Sequence, residues 1–213
     1  MLPGPNYIYK CPNCETLVSK GSLMSGNTIG ADFYSDGSFF APMMPVFPQI
    51  TICHDCDTIF WLNETNETGM WHWGEKTNPA WENAVYARFL SIEEYFSALE
   101  MNLANNKADE FYIRQQIWWG FNNAHRYKNE SNTDASENIL WTVNIHKLLG
   151  LLDSSNNNDL IMKAELHRNL GNFDTCLQVL DSIVNPEVEW LKNIMIKACK
   201  AKNRKVIQLK QNT

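Results

Sequence analysis

The sequence predicts an α+β fold from three features: two Cys-x-x-Cys pairs near its start, strand and turn signals around them, and helical periodicity from about residue 79 onward. The expected organisation is a small β module over residues 1–75 followed by an all-helical region over residues 76–213. With 213 residues, 44% of them hydrophobic and 12% aromatic, the chain carries enough apolar material to bury a core in each part.

In the first part, Asp36-Gly37 stands between Phe33-Tyr34 and Phe39-Phe40, the strongest short-range hairpin signal in the chain. Residues Ile50 to Ile52 and Ile59 to Leu62 read as strands on either side of the second cysteine pair. The stretch Pro42-Met-Met-Pro45-Val-Phe-Pro48 cannot be a central strand, because proline lacks the ladder N–H, so it is expected to run extended across the surface or the domain junction. Gly21-Ser-Leu-Met-Ser-Gly26-Asn27-Thr28 has the glycine spacing of a phosphate-binding loop. Asparagine stands where that motif needs lysine, and no strand-then-helix context surrounds it, so a flexible polar loop is the preferred reading.

The chemistry lies in Cys11-Pro-Asn-Cys14 and Cys53-His-Asp-Cys56, with 38 residues between the pairs. A Cys-x-x-Cys turn aims two thiolates at one ion, and two such turns complete a tetrahedron of soft ligands, which suits zinc. This layout resembles a zinc ribbon over roughly residues 5 to 63, and the resemblance implies one structural Zn2+ held by Cys11, Cys14, Cys53 and Cys56. The thin core of such a module implies that metal binding supplies most of its folding energy. Ribbon turns often place glycine after the second cysteine, where φ is positive; Glu15 and Asp57 occupy those positions here, so the first turn is expected to be slightly irregular. Two disulfides are the competing reading, disfavoured because the start of the sequence lacks an export signal. A single iron on four thiolates, as in rubredoxin, is a further alternative that would make the protein an electron carrier. His54 lies inside the second pair and reads as a bystander. Four cysteines close the coordination shell, which speaks for a structural rather than a catalytic ion. His72, in Trp71-His72-Trp73, reads as part of an aromatic hinge.

The helical region begins with a capping box, Ser91 with Glu94, ahead of an apolar face of Ile92, Tyr95, Phe96, Leu99 and Leu103. Further helices are expected from about Ala108 to Arg126, Ser136 to Leu152 and Asp159 to Leu170, then one after Gly171, and one starting at Asn185-Pro186. Short connections imply helical hairpins. Ala164 to Leu180, AELHRNLGNFDTCLQVL, is similar to a tetratricopeptide repeat: Ala164 where helices approach, Gly171 at the turn, then Phe173, Cys176 and Leu180. Cys176 departs from the alanine such repeats prefer. The resemblance covers about 30 residues and implies an irregular stack of hairpins that binds a protein partner; a plain helical bundle is the alternative. Cys176 and Cys199 read as buried apolar residues.

Charge divides the function classes. The net charge is −6, but the first 80 residues hold three lysines against eight acids, and residues 192–213 hold seven basic side chains and no acid. An acidic cysteine module repels a phosphate backbone, which disfavours nucleic acid as partner, while the basic end suits a helix C-terminus as well as it suits phosphates. The sequence shows no serine-nucleophile, HExxH or paired-carboxylate motif, and His125, His146 and His167 are scattered along helices, so an enzyme is the less favoured class. No apolar run reaches the length of a membrane span, which with the missing export signal points to a cytoplasmic, bacterial-type protein. Asn63-Glu-Thr65, Asn66-Glu-Thr68 and Asn129-Glu-Ser131 then read as coincidental glycosylation patterns. The expected function is that of a zinc-ribbon adaptor binding a protein through its helices.

Overall fold

The structure is a computed structural model that describes residues 1–72, 74–76, 78–126 and 138–209. Trp73, the 129–131 triplet, the helix start expected at Ser136, Lys210 and the side chain of His125 lie outside the described residues. In chain order the strands are β1 (Leu2–Pro3), β2 (Asn6–Lys10), β3 (Leu17–Lys20), β4 (Leu23–Ser25), β5 (Asp32–Tyr34), β6 (Phe39–Phe40), β7 (Ile50–Ile52), β8 (Ile59–Trp61), β9 (Glu67–Trp71), β10 (Val85–Tyr86) and β11 (Gln208–Leu209). The helices are α1 (Pro79–Glu82), α2 (Ile92–Glu100), α3 (Lys107–Arg126), α4 (Ile139–Leu151), α5 (Asn157–Leu170), α6 (Phe173–Ser182) and α7 (Glu189–Lys200). Strands therefore dominate the N-terminal part and helices the C-terminal part. Two compact units interleave in sequence: Met1–Ala31 with Phe40–Leu103, and Asp32–Phe39 with Ala104–Thr213.

The first unit is built on a four-stranded sheet in the order β10-β3-β2-β9, with β10 parallel to β3 and the other pairs antiparallel. Strands β7 and β8 form a separate antiparallel hairpin, Ile50 opposite Trp61 and Ile52 opposite Ile59. Tyr9, Val18, Phe60 and Leu62 pack with Cys11 and Cys53 into one small core. The stretch expected as a flexible loop around Gly21–Thr28 contains β4, which pairs with β1 across Leu2–Ser25 and Pro3–Leu23. Pairing with a strand at the chain's start is non-local, so the loop composition gave no sign of it. Residues 42–48 are irregular, with a turn closed by Met44 N–H to the Ala41 carbonyl.

Helix α2 starts as expected. Ser91 Oγ accepts from Glu94 N–H while Glu94 Oε2 accepts from Ser91 N–H at 2.7 Å, and the Arg88 guanidinium donates to both Glu94 oxygens at 2.7 and 2.6 Å. Tyr95 and Ala98 are its buried residues, and Trp61 Nε1 donates to the Leu103 carbonyl at 2.8 Å just beyond its end. The Arg88–Glu94 contact lowers the Glu94 carboxyl pKa from its ordinary value, chiefly through the hydrogen bonds from Arg88.

The second unit buries two apolar clusters. Trp118, Trp141, Ile145, Leu148, Leu152 and Leu166 join α3, α4 and α5, while Ala164, Cys176, Leu180, Ile183, Met195 and Cys199 join α5, α6 and α7. Helix α5 ends at Gly171, whose φ of 82° is left-handed and lets Asn172 N–H reach back to the His167 carbonyl. A 3-10 turn, Pro186–Val188, capped by the Asn185 side chain, takes the place of the helix start expected there, and α7 begins at Glu189.

The hairpin expected at Asp36-Gly37 forms, with Gly37 at φ 77° and its N–H on the Tyr34 carbonyl, but its tip belongs to the helical unit. Asp36 Oδ1 caps Ser38, Oδ2 accepts from Asn122 and Arg126, and the Asp36 carbonyl accepts from Trp119 Nε1 at 3.0 Å. Ser35 Oγ donates to Glu165 Oε1 at 2.7 Å and accepts from Ile207 N–H at 2.9 Å. Glu165 forms an ion pair with Arg168 in which both side chains are fully buried, 0% exposed, and Arg168 also donates to the carbonyls of Asn203 and Lys205. Strand β11 pairs with β5 in the same place, Gln208 opposite Tyr34. This polar network lies inside the unit, where each bond is stronger than it would be in water.

Candidate metal centre

Each cysteine pair sits at the tip of a β hairpin, Cys11 to Cys14 between β2 and β3, and Cys53 to Cys56 between β7 and β8. The two turns close with the same hydrogen bonds. Cys11 N–H donates to the Thr16 carbonyl at 2.9 Å and Glu15 N–H to the Cys11 carbonyl at 3.0 Å; Cys53 N–H donates to Thr58 at 2.9 Å and Asp57 N–H to Cys53 at 3.1 Å. Glu15 and Asp57 adopt positive φ, 62° and 55°, at the positions where glycine was the expected residue. The irregularity expected of the first turn is absent, since its bonds match those of the second. Residues other than glycine pay roughly 1–2 kcal/mol for such a conformation, which the closure of the turn has to offset.

The four sulfurs converge. Cys11 Sγ lies 3.5 Å from Cys56 Sγ and Cys14 Sγ lies 3.5 Å from Cys53 Sγ, and all four fall within 4.8 Å of one another. A tetrahedron of zinc–sulfur bonds of about 2.3 Å has edges of about 3.8 Å. The cluster is thus already near the size of a four-thiolate site, and all six cysteines of the chain are free thiols. Cys11 and Cys53 are buried, Cys56 is half-buried and Cys14 faces solvent.

The surroundings of the sulfurs test the fit. Backbone N–H groups of Cys14 and Asn13 point at Cys11 Sγ, and those of Asp55 and Cys56 at Cys53 Sγ, donors that stabilise sulfur as thiolate. Burial nevertheless dominates at both, raising the Cys11 thiol and pushing Cys53 up to about 12. At Cys56 the hydroxyl of Thr58, followed by its backbone N–H, pulls the thiol down to about 6. Amide donors aimed at buried sulfurs, with no positive side chain in the cluster, are what a soft divalent cation requires to complete the charge balance. The donor set therefore fits a metal ion.

Sequence reasoning placed the four cysteines and overlooked their supports. Thr16 Oγ1 donates to Asp55 Oδ2 at 2.6 Å, tying one turn to the other, and Thr58 contacts Cys56 Sγ at 3.2 Å. The signal was present, because both segments read Cys-x-x-Cys, an acid, then threonine: CPNCET and CHDCDT. His54 is not among the gathered ligands, and its Nε2 lies 3.2 Å from Asp55 Oδ1.

No protein-family model, curated protein or solved structure matches this chain.

The remaining histidines form no second centre among the described residues. His72 is exposed, and its backbone N–H donates to Glu75 Oε2. His167 on α5 has a lowered pKa, caused first by burial and then by His146 and Lys163, both basic. The basic C-terminal segment is partly committed to structure. Lys192 Nζ donates to the Ile183 carbonyl at 2.9 Å, and Arg204 Nε to the Asn169 carbonyl at 2.9 Å. No helix of the described residues is long and apolar enough to cross a membrane.

Proposed function

We propose that Cys11, Cys14, Cys53 and Cys56 hold one structural Zn2+ in a zinc-ribbon-like module and that the protein is an interaction module rather than an enzyme. The observation that carries the metal reading is the convergence of four sulfurs within 4.8 Å, with backbone amides aimed at the two buried ones. Four thiolates leave no open position for water or substrate, so the ion's contribution is to cross-link two hairpins that share a thin core. A single iron fits the same sulfurs, and its thiolate absorption distinguishes it.

A protein partner on the helical unit is supported by α4, in a region that reads as TPR-like hairpins. Ile139, Leu140 and Val143 share one side of that helix and are 78, 56 and 50% exposed, an apolar patch with no role in the core. Elemental analysis and an absorption spectrum of protein purified without added metal test the first half: one zinc per chain in a colourless sample supports it, and a metal-free, folded protein overturns it. For the second half, a Leu140→Glu, Val143→Glu variant that folds should lose a co-purifying protein captured by wild type; equal capture by both overturns this surface as the contact. Binding of an oligonucleotide that weakens steeply with salt would instead favour the nucleic-acid alternative through Lys197, Lys200, Lys202 and Lys205, all exposed.

A further inference from the structure

We propose that Cys176 and Cys199 form a reversible dithiol–disulfide pair, a site of oxidative modification that joins α6 to α7. The two sulfurs lie 3.1 Å apart, closer than ordinary packing of carbon atoms at about 3.5–4.0 Å and about 1 Å longer than a disulfide bond. Both belong to the helical unit and stand apart from the four-sulfur cluster of the first unit. Neighbouring helices hold them: Leu180 and Met195, one from each helix, pack beside them with Ala164 of α5. Forming the bond brings the two sulfurs about 1 Å closer than they lie in the reduced pair.

The two thiols differ in access. Cys176 is 0% exposed and Cys199 3%, but Cys199 also lines a cavity of about 670 Å³ together with Gly171, Asn172, Thr175, Lys200 and Lys202. A small oxidant enters by that cavity and meets Cys199 first, with Cys176 behind it as the resolving thiol. Burial raises both thiols, with Arg168 opposing it at each, so the reaction is slow at neutral pH and quickens as pH rises.

With hydrogen peroxide as oxidant the step balances. The Cys199 thiolate attacks one peroxide oxygen, forming an S–O bond and breaking the O–O bond, and the departing hydroxide takes a proton to leave as water. The Cys176 thiolate then attacks the Cys199 sulfur, forming the S–S bond as the S–O bond breaks, and the second oxygen leaves as water after taking a proton. Two thiols lose two electrons and two protons in all, and one peroxide becomes two waters. A thiol reductant such as dithiothreitol reverses the bond by exchange.

The test uses the full-length, zinc-loaded protein under native conditions. After peroxide treatment, free thiols are blocked with iodoacetamide, the protein is digested, and the peptides carrying Cys176 and Cys199 are weighed. The expected product is those two peptides joined, two hydrogens lighter than the pair, and separated again by dithiothreitol. Recovery of both cysteines in alkylated form after peroxide, or their linkage to Cys11, Cys14, Cys53 or Cys56 instead, overturns the proposal. In Cys176→Ser the same treatment should leave Cys199 as a sulfenic acid trapped by dimedone. Should that variant fail to fold, the wild-type digest still decides. The cross-linked protein should also show a thermal midpoint for its helical unit raised by about 5–10 °C, which reduction returns to its starting value. A fully cross-linked sample with a lowered midpoint would mean that the bond forms only by distorting the helices, and it overturns the native pairing.

Discussion

Asp36 at a hairpin tip and Arg126 at the end of α3 form an ion pair inside the helical unit, their side chains 0 and 4% exposed. The Arg126 guanidinium also lies over the Tyr34 ring, 5.0 Å from its centre, and Asn122 completes the hydrogen bonding of the carboxylate. Neither charge has water to fall back on. Replacing one member of such a pair leaves the other buried without a partner, so Asp36→Ala should destabilise the helical unit by about 3–5 kcal/mol. Urea unfolding followed by helical circular dichroism measures it, and a loss under about 1 kcal/mol would show that the pair is not buried in solution.

Truncation follows the same contacts. A fragment starting at residue 104 lacks Ser35 and Asp36, and with them the partners of Glu165, Arg126 and the Ile207 backbone. It should fold less stably than the same fragment supplied with a peptide spanning residues 30–41, which thermal melts of the two samples compare. Deleting residues 1–75 is accordingly a poor way to isolate the helices for binding work.

Metal removal should act on the first unit. Cys53→Ser replaces a buried thiol in the small core shared by Tyr9, Val18 and Phe60, and should abolish stoichiometric zinc while leaving the helical unit's circular dichroism largely intact. Because thiols must release protons to bind the ion, zinc should be lost progressively as pH falls, and a zinc-sensitive dye records the release. Retention of one zinc per chain by Cys53→Ser contradicts the assignment of ligands.

Glu94 gives a pH dependence of defined sign. Its folded pKa is lowered by Arg88, so its contribution is present above the roughly 4.3 of an unfolded glutamate and is lost as pH falls through the lower folded value. Glu94→Gln should remove roughly 0.5–1 kcal/mol at pH 7, from the partly exposed ion pair, since glutamine can keep the capping-box bond, and much less at pH 3. Equal stability differences at the two pH values would show that the charge plays no part.

At Gly69 in β9, an added Cβ would come within 2.6 Å of the Trp81 ring. Gly69→Ala should therefore displace Trp81 of α1, shift its fluorescence and destabilise the first unit by about 1–3 kcal/mol. An unchanged emission spectrum would mean that the strand and the ring are not in contact.

The features readable in the sequence were local. Two Cys-x-x-Cys turns, positive φ after each, the Asp36-Gly37 hairpin and the Ser91–Glu94 cap each depend on a few neighbouring residues, and all appear where the residues put them. What local patterns leave out is non-local. Ser35, Asp36 and Ser38 have the composition of a solvent-exposed turn, and nothing in that composition names Asn122 or Glu165 as partners. Likewise the basic end reads as suiting a helix C-terminus or phosphates, and nothing local directs Arg204 and Lys192 to their backbone carbonyls. Cys176 and Cys199 are buried in an apolar cluster as expected, while their 23-residue separation hides how near the sulfurs come.

The interleaving of the two units sets the order in which the chain can mature. Strand β5 is made early, yet its partner β11 and the arginines that meet its turn lie up to 176 residues later, as in the Gln208–Asp32 hydrogen bond. On the ribosome, the β5–β6 hairpin must wait for β11 and for the partners of its turn until nearly the whole helical unit has emerged. Contacts this far apart in sequence should make the unit fold more slowly than a helical bundle closed by local contacts alone.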